Sequence, residues 1–122
     1  MSFLKSKAIH GLGGLVLMGG WAAFANRAYT MPAPVIAGVV QGVLTAAITL
    51  FLKSVIEGIS RRTTGWKRLA LAPLAAFLIS LTLLTTIHTL ADTPALLATI
   101  SVPLTVSTLY ALFYTITLSR HA

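Results

Sequence analysis

The stretch PVIAGVVQGVLTAAITLFL, Pro34 to Leu52, carries no charged side chain. A helix rises 1.5 Å per residue, so about 20 mostly apolar residues cross the hydrocarbon core of a bilayer. The stretch therefore reads as a membrane-spanning helix, and its pattern continues as helix to Ile59. Working outward, Ile9 to Ala25, Leu69 to Leu90 and Ala95 to Leu118 are similar runs separated by short polar connections. Backbone groups in lipid must satisfy one another, and the alternation of a barrel strand is absent. The expected fold is an all-α, four-transmembrane-helix bundle forming a single membrane domain over residues 1–122. Its helices are expected at about 9–25, 34–59, 69–90 and 95–118.

Composition agrees. The 122 residues are 57% hydrophobic and 9% charged, with a mean hydropathy of +0.90. A soluble domain carries roughly 25% charged residues, so a soluble enzyme and a disordered chain are excluded. The absence of cysteine removes disulfides, thiol catalysis and cysteine-based zinc sites. The net charge of +7 does not point to nucleic acid. Its basic residues sit between apolar runs, as positive-inside topology produces.

That asymmetry orients the chain. Lys5, Lys7, Lys53, Arg61, Arg62, Lys67, Arg68 and Arg120 fall on one side of a four-helix arrangement, and only Arg27 on the other. Both termini are expected in the cytoplasm, with the connections around Arg27 and Asp92 outside. Thr30 and Thr93 precede Pro32 and Pro94, an order that favours helix starts. Trp21 and Tyr29 suit the outer interface, and Trp66 and Tyr114 the inner one. The first segment has a second reading. Lys5 and Lys7, a short apolar core and Ala23-Phe24-Ala25 match a cleavable signal peptide; the expectation is that the segment is retained.

Gly38, Gly42 and Ala46 form a small-residue stripe that lets another backbone approach, inside the bundle or across a dimer seam. Gln41, Thr45, Thr49, Lys53 and Glu57 recur every four residues along one slowly drifting helix face. An amide in hydrocarbon costs several kcal/mol unless bonded. Gln41 therefore needs another helix or water, and Lys53 is placed to reach Glu57. Hydroxyls at Ser80, Thr82, Thr85, Thr86, Thr89, Ser101, Thr105, Thr108 and Thr115 can bond their own backbone. Pro73 and Pro103 leave carbonyls that need other donors. Outside, Arg27, His88 and Asp92 are the ionisable groups. Asp92 is expected to clasp Arg27 or His88, or the three to receive an anionic head group anchored by Arg27. Arg61, Arg62, Lys67 and Arg68 are expected to rest on anionic lipid at the cytoplasmic face.

Catalysis has little to work with. The two carboxylates, Glu57 and Asp92, lie at opposite faces of the expected topology, as do His10 and His88. No enzyme activity, metal or cofactor is expected. The layout resembles several small bacterial membrane families without their marks. The first helix lacks the glutamate of small multidrug exporters, and the Thr/Phe-rich motif of fluoride channels is missing. Asn26-Arg27 follows the first helix, whereas lipid-linked sugar translocases carry such a pair after the second. The chain is expected to be a small inner-membrane, transporter- or flippase-like protein. It would handle an anion or anionic lipid head group as a homo-oligomer, through Arg27, Gln41, Thr45, Thr49, Lys53, His88 and Asp92. The alternative is a non-catalytic accessory subunit of a larger membrane complex, and a weaker third is a holin-like pore.

Overall fold

The computed structural model describes the backbone from Ser2 to Arg120 and the side chains from Leu12 to Arg120. Lys5, Lys7 and His10 lie outside the described side chains. The chain forms four helices: α1 (Ser2–Ala25), α2 (Ala33–Arg62), α3 (Gly65–Leu90) and α4 (Leu96–Arg120). α2, α3 and α4 are each long and apolar enough to cross a membrane, whereas the apolar stretch Leu12–Ala25 of α1 is shorter than a full crossing. Three of the four expected spans thus meet the length requirement among the described residues. The protein is all-helical and built as a multi-pass membrane protein.

α2 touches the other three helices, and α4 touches α1 as well as α2 and α3. The buried positions of α3 are Ala72, Ala76, Ser80, Leu84 and His88, one every four residues, which makes a single stripe. It packs on Leu44, Ile48, Leu52 and Ile56 of α2 and on Ile100 and Ala111 of α4. The outward faces carry exposed Val39, Val43, Leu50, Leu78 and Phe113, as a lipid-facing surface requires.

The α2–α3 connection is much shorter than the basic run suggests. Only Thr63 and Thr64 lie outside helix, so Arg61, Arg62, Lys67 and Arg68 ride on helix ends, and α3 starts at Gly65 rather than Leu69. Gly65 has φ +61°, which closes the tight turn and which other residues rarely adopt. The last carbonyls of α2 lack intrahelical donors. The Thr63 hydroxyl donates to Ile59 O (2.6 Å), and Arg62 Nη1 to Gly58 O (3.3 Å). Arg68 then holds the turn through Nε and Nη2, both donating to Thr63 O at 3.1 and 2.8 Å.

At the other end, the two Thr-to-Pro entries do not act as hydroxyl caps. α2 has Pro32 at its N-cap with no side-chain cap bond. Thr93 spends its hydroxyl on His88, and the Ala95 N–H is capped by Asn26 Oδ1 from the other connection (2.9 Å). α3 ends in a Schellman motif: Thr93 N–H donates to His88 O (2.9 Å) and Asp92 N–H to Thr89 O (3.1 Å). Asp92 sits at its left-handed position, with φ 57°.

Candidate functional site

Gln41 and His88, from α2 and α3, are fully buried and bonded to each other, His88 Nε2 to Gln41 Oε1 at 2.8 Å. An amide oxygen only accepts, so His88 is protonated at Nε2 and donates. The other ring nitrogen, Nδ1, then accepts from the Thr93 hydroxyl (2.8 Å). Gln41 Nε2 donates to Thr45 Oγ1 (3.0 Å), which donates to Gln41 O (2.9 Å). Thr49 closes the chain by donating to Thr45 O (2.7 Å). Polar groups thus run without a gap from the α3–α4 connection to the middle of α2, with donors and acceptors matched at each step.

A second node ties α1 to α4. Asn26, fully buried at the end of α1, donates through Nδ2 to Ala22 O (2.8 Å) and Thr99 Oγ1 (2.7 Å). Pro103 has no N–H, which frees the carbonyl of Thr99 four residues earlier. The Trp21 indole supplies that donor, at 3.2 Å from Thr99 O and 3.0 Å from Ala98 O. Trp21 therefore works as an interhelical strut.

Below these two nodes lies a cavity of about 350 Å³ between α1, α2 and α4. Leu17 and Met18 of α1, Ile48 and Leu52 of α2, and Pro103 and Val106 of α4 give it apolar walls. Gln41, Thr45 and Thr49 form a polar edge, faced by Ser107 and Tyr110 of α4. The Ser107 hydroxyl lies 2.9 Å from Ser80 Oγ, anchoring α4 to α3. Further toward the basic end, Lys53 Nζ pairs with Glu57 Oε2 at 3.2 Å, and the Tyr114 hydroxyl donates to the same oxygen. Tyr110 stacks on Tyr114 with ring centroids 5.7 Å apart.

The small-residue stripe is split. Gly38 and Gly42 face α1 of the same chain, where a Cβ on Gly38 would lie 3.1 Å from Gly19 O and one on Gly42 2.8 Å from Leu15 Cδ2. Ala46, one turn on, is exposed. Arg27 is exposed, donates to Phe24 O (2.9 Å) and sits over the Phe24 ring at 3.8 Å. It does not line the cavity, and among the described residues neither Arg27 nor His88 pairs with Asp92. The expected clasp is replaced by the His88–Thr93 bond. Arg61 and Arg68 line a separate cavity at the basic end, with Glu57, Ser60 and Leu118, whereas Arg62 and Lys67 are outside it.

Sequence reasoning passes over Asn26, Thr99 and Ser60 as functional groups. Asn26 carries one signal, an amide at the end of an apolar helix that requires partners. Among the described residues, no three His, Asp or Glu side chains come together to hold a metal ion. Comparison with known protein families, curated proteins and solved structures finds no match for the chain.

Proposed function

We propose that the chain is a small transporter- or flippase-like protein of a bacterial cytoplasmic membrane. It takes an amphipathic, lipid-like molecule into the α1–α2–α4 cavity. The observation that carries this reading is the lining, predominantly apolar walls with the hydroxyl-bearing Thr45, Thr49 and Ser107 along them, while Gln41 behind that edge is buried and bonded. A volume of about 350 Å³ falls within the range of small-molecule sites. An apolar tail fits against Leu17, Met18 and Val106, while the hydroxyls of Thr49 and Ser107 receive a polar group. Tyr110 lines the basic end of the path, and Lys53, beyond it, would exchange its Glu57 partner for an anionic head group. The charge asymmetry supports a topology with both termini and the basic end in the cytoplasm. A homo-oligomer would give four short helices a larger enclosed path.

A second reading draws on the closed hydrogen-bond chain. Gln41 and His88 satisfy each other, so no polar route leads from Arg27 to the cavity. The cavity would then be a static seat for a helix of a larger complex, with this chain as an accessory subunit.

Single cysteines introduced at Thr45, Thr49 and, as a lipid-facing control, Leu50 separate these readings. The native chain has no cysteine to interfere. The transport reading expects Thr45→Cys and Thr49→Cys to react with a membrane-impermeant thiol reagent in cells, Leu50→Cys to stay silent, and added amphiphile to slow labelling. Silence at both threonines in a folded protein rejects it. Silence relieved by detergent extraction from partner proteins favours the accessory subunit.

A further inference from the structure

The open cavity at the basic end has a volume of about 640 Å³ and is lined by Glu57, Ser60, Arg61, Arg68 and Leu118. It lies where the last turns of α2 and α4 meet the first turn of α3. Ser60 is 8% exposed, and its hydroxyl oxygen is buried with no hydrogen-bond partner. A buried hydroxyl without a partner forfeits its hydration, and elsewhere in the bundle such hydroxyls find one. Among the described residues nothing bonds Ser60, so a group from outside them can complete it.

The charges around it define that group. Glu57 is the carboxylate of the cavity, and it is already neutralised by Lys53 and bonded by Tyr114. The Lys53–Glu57 bridge is the ion pair among the described residues, so Arg61 and Arg68 line the cavity without a salt-bridge partner, although Arg61 also acts on Glu57 at longer range. Arg68 is also held in place. It commits Nε and one N–H of Nη2 to Thr63 O, and leans on Ser119 Oγ through Nη1 at 3.4 Å. A guanidinium has five N–H donors in a planar fork, so Arg68 keeps two free, pre-oriented at little entropic cost. Two carbonyls of the last turns of α2, those of Gly58 and Ile59, accept from Arg62 and Thr63.

We propose that this cavity binds a phosphate group. Arg61 and Arg68 form its charged arms, Ser60 gives a hydroxyl donor, and Leu118 is an apolar wall beside it. Two sources share that chemistry, the head group of an anionic lipid and free phosphate. The site differs from a general basic belt on lipid, because Arg62 and Lys67 carry the same charge and stand outside it. It is also independent of the α1–α2–α4 cavity and its ligand.

The test uses the full chain in mild detergent. Native mass spectrometry measures retention of phosphatidylglycerol against phosphatidylcholine, and thermal melting is followed with inorganic phosphate. Wild type should retain phosphatidylglycerol preferentially. Arg61→Gln and Ser60→Ala should each weaken retention by about tenfold or more, the scale of one charge-assisted hydrogen bond. Arg62→Gln and Lys67→Gln should stay within about twofold of wild type. Competition by inorganic phosphate would make the phosphate alone sufficient, and lipid retention without such competition would make the ligand a lipid; both support the site. Ser60→Ala removes a buried unpartnered group, so it should melt no lower than wild type and reports on binding free of misfolding. Arg61→Lys, which keeps the charge and loses the fork, should fall between wild type and Arg61→Gln. Unchanged retention in Ser60→Ala and Arg61→Gln would overturn the proposal. So would an equal loss in all four neutralised or truncated variants, which is the signature of diffuse surface charge.

Discussion

At one end of the bundle His88, Gln41, Asn26, Thr93 and Thr99 are buried and each has a partner within the chain. At the other end Ser60 is buried with none, and two arginines line an open cavity beside it. The two ends were made from similar material: helix termini, hydroxyls and a few charges. They differ in closure. At the first end Asp92 turns the chain back so that Thr93 covers His88, and Asn26 reaches across from α1 to cap α4. At the second, the turn has two residues, and among the described residues none bonds the Ser60 hydroxyl. Polar groups that complete one another hold helices together, whereas those left incomplete are where a ligand can contribute.

The sharpest way to break this contrast is to delete a partner at the closed end. Gln41→Leu leaves the His88 Nε2–H without its acceptor and removes the donor to Thr45 Oγ1, whose own bond to the residue 41 carbonyl remains; it is expected to cost about 1–3 kcal/mol. His88→Ala also empties the space of a buried ring and should cost about 3 kcal/mol or more. The pair Gln41→Leu with His88→Leu should cost less than the two single Leu changes added together, by about 0.5–2 kcal/mol. Unfolding in mild detergent measures all of them against Ser60→Ala, which should be neutral or stabilising. Neutral behaviour of Gln41→Leu would erase the difference between the two ends.

Much of the fold is legible in residue order, and the limits fall at identifiable places. α2 is plain because its uncharged run has the length of a bilayer crossing. The need of Gln41 for a partner follows from the cost of a bare amide in hydrocarbon. The identity of that partner does not, since His88 is 47 residues away and meets Gln41 only through the register of α3 on α2. His88 and Asp92 look like a helical i, i+4 pair, but α3 ends between them. Asp92 is left as the left-handed residue of the cap, which periodicity does not reveal. The basic run Arg61 to Arg68 looks like a loop, because charge marks the membrane boundary and says little about where helix ends.

The close α1–α2 approach gives a graded test of intermediate size. A Cβ on Gly19 would lie 2.9 Å from the Gly38 carbonyl oxygen, a backbone atom on the facing helix. Gly19→Ala should force the helices apart and cost about 1–3 kcal/mol. Gly42→Ala meets the end of the Leu15 side chain, which can rotate away, so its cost should be smaller. Gly20→Ala meets nothing within 4 Å and should be neutral or slightly stabilising. Equal melting temperatures for Gly19→Ala and Gly20→Ala would show that the seam between α1 and α2 is loose.

The smallest expected effect decides what Asp92 is for. Its φ of 57° belongs to the left-handed region, which costs most L-residues roughly 1–2 kcal/mol and Asp or Asn less. In the Schellman turn the backbone N–H of Asp92 is used and the exposed side chain is not required. Asp92→Asn should therefore leave stability within about 0.3 kcal/mol. Asp92→Gly relieves the steric cost but adds chain entropy to the unfolded state, so it should stabilise by about 0.5 kcal/mol or less. Asp92→Val places a β-branched residue in that region and should cost about 1 kcal/mol. It should also loosen the Thr93–His88 bond, detectable as faster hydrogen exchange at the Thr93 amide. The ordering Gly, then Asp and Asn, then Val marks a conformational role at the closed end. If Asp92 instead contributes a carboxylate to a clasp or a site, Asn and Gly should both fall below wild type, with Val lowest of the three.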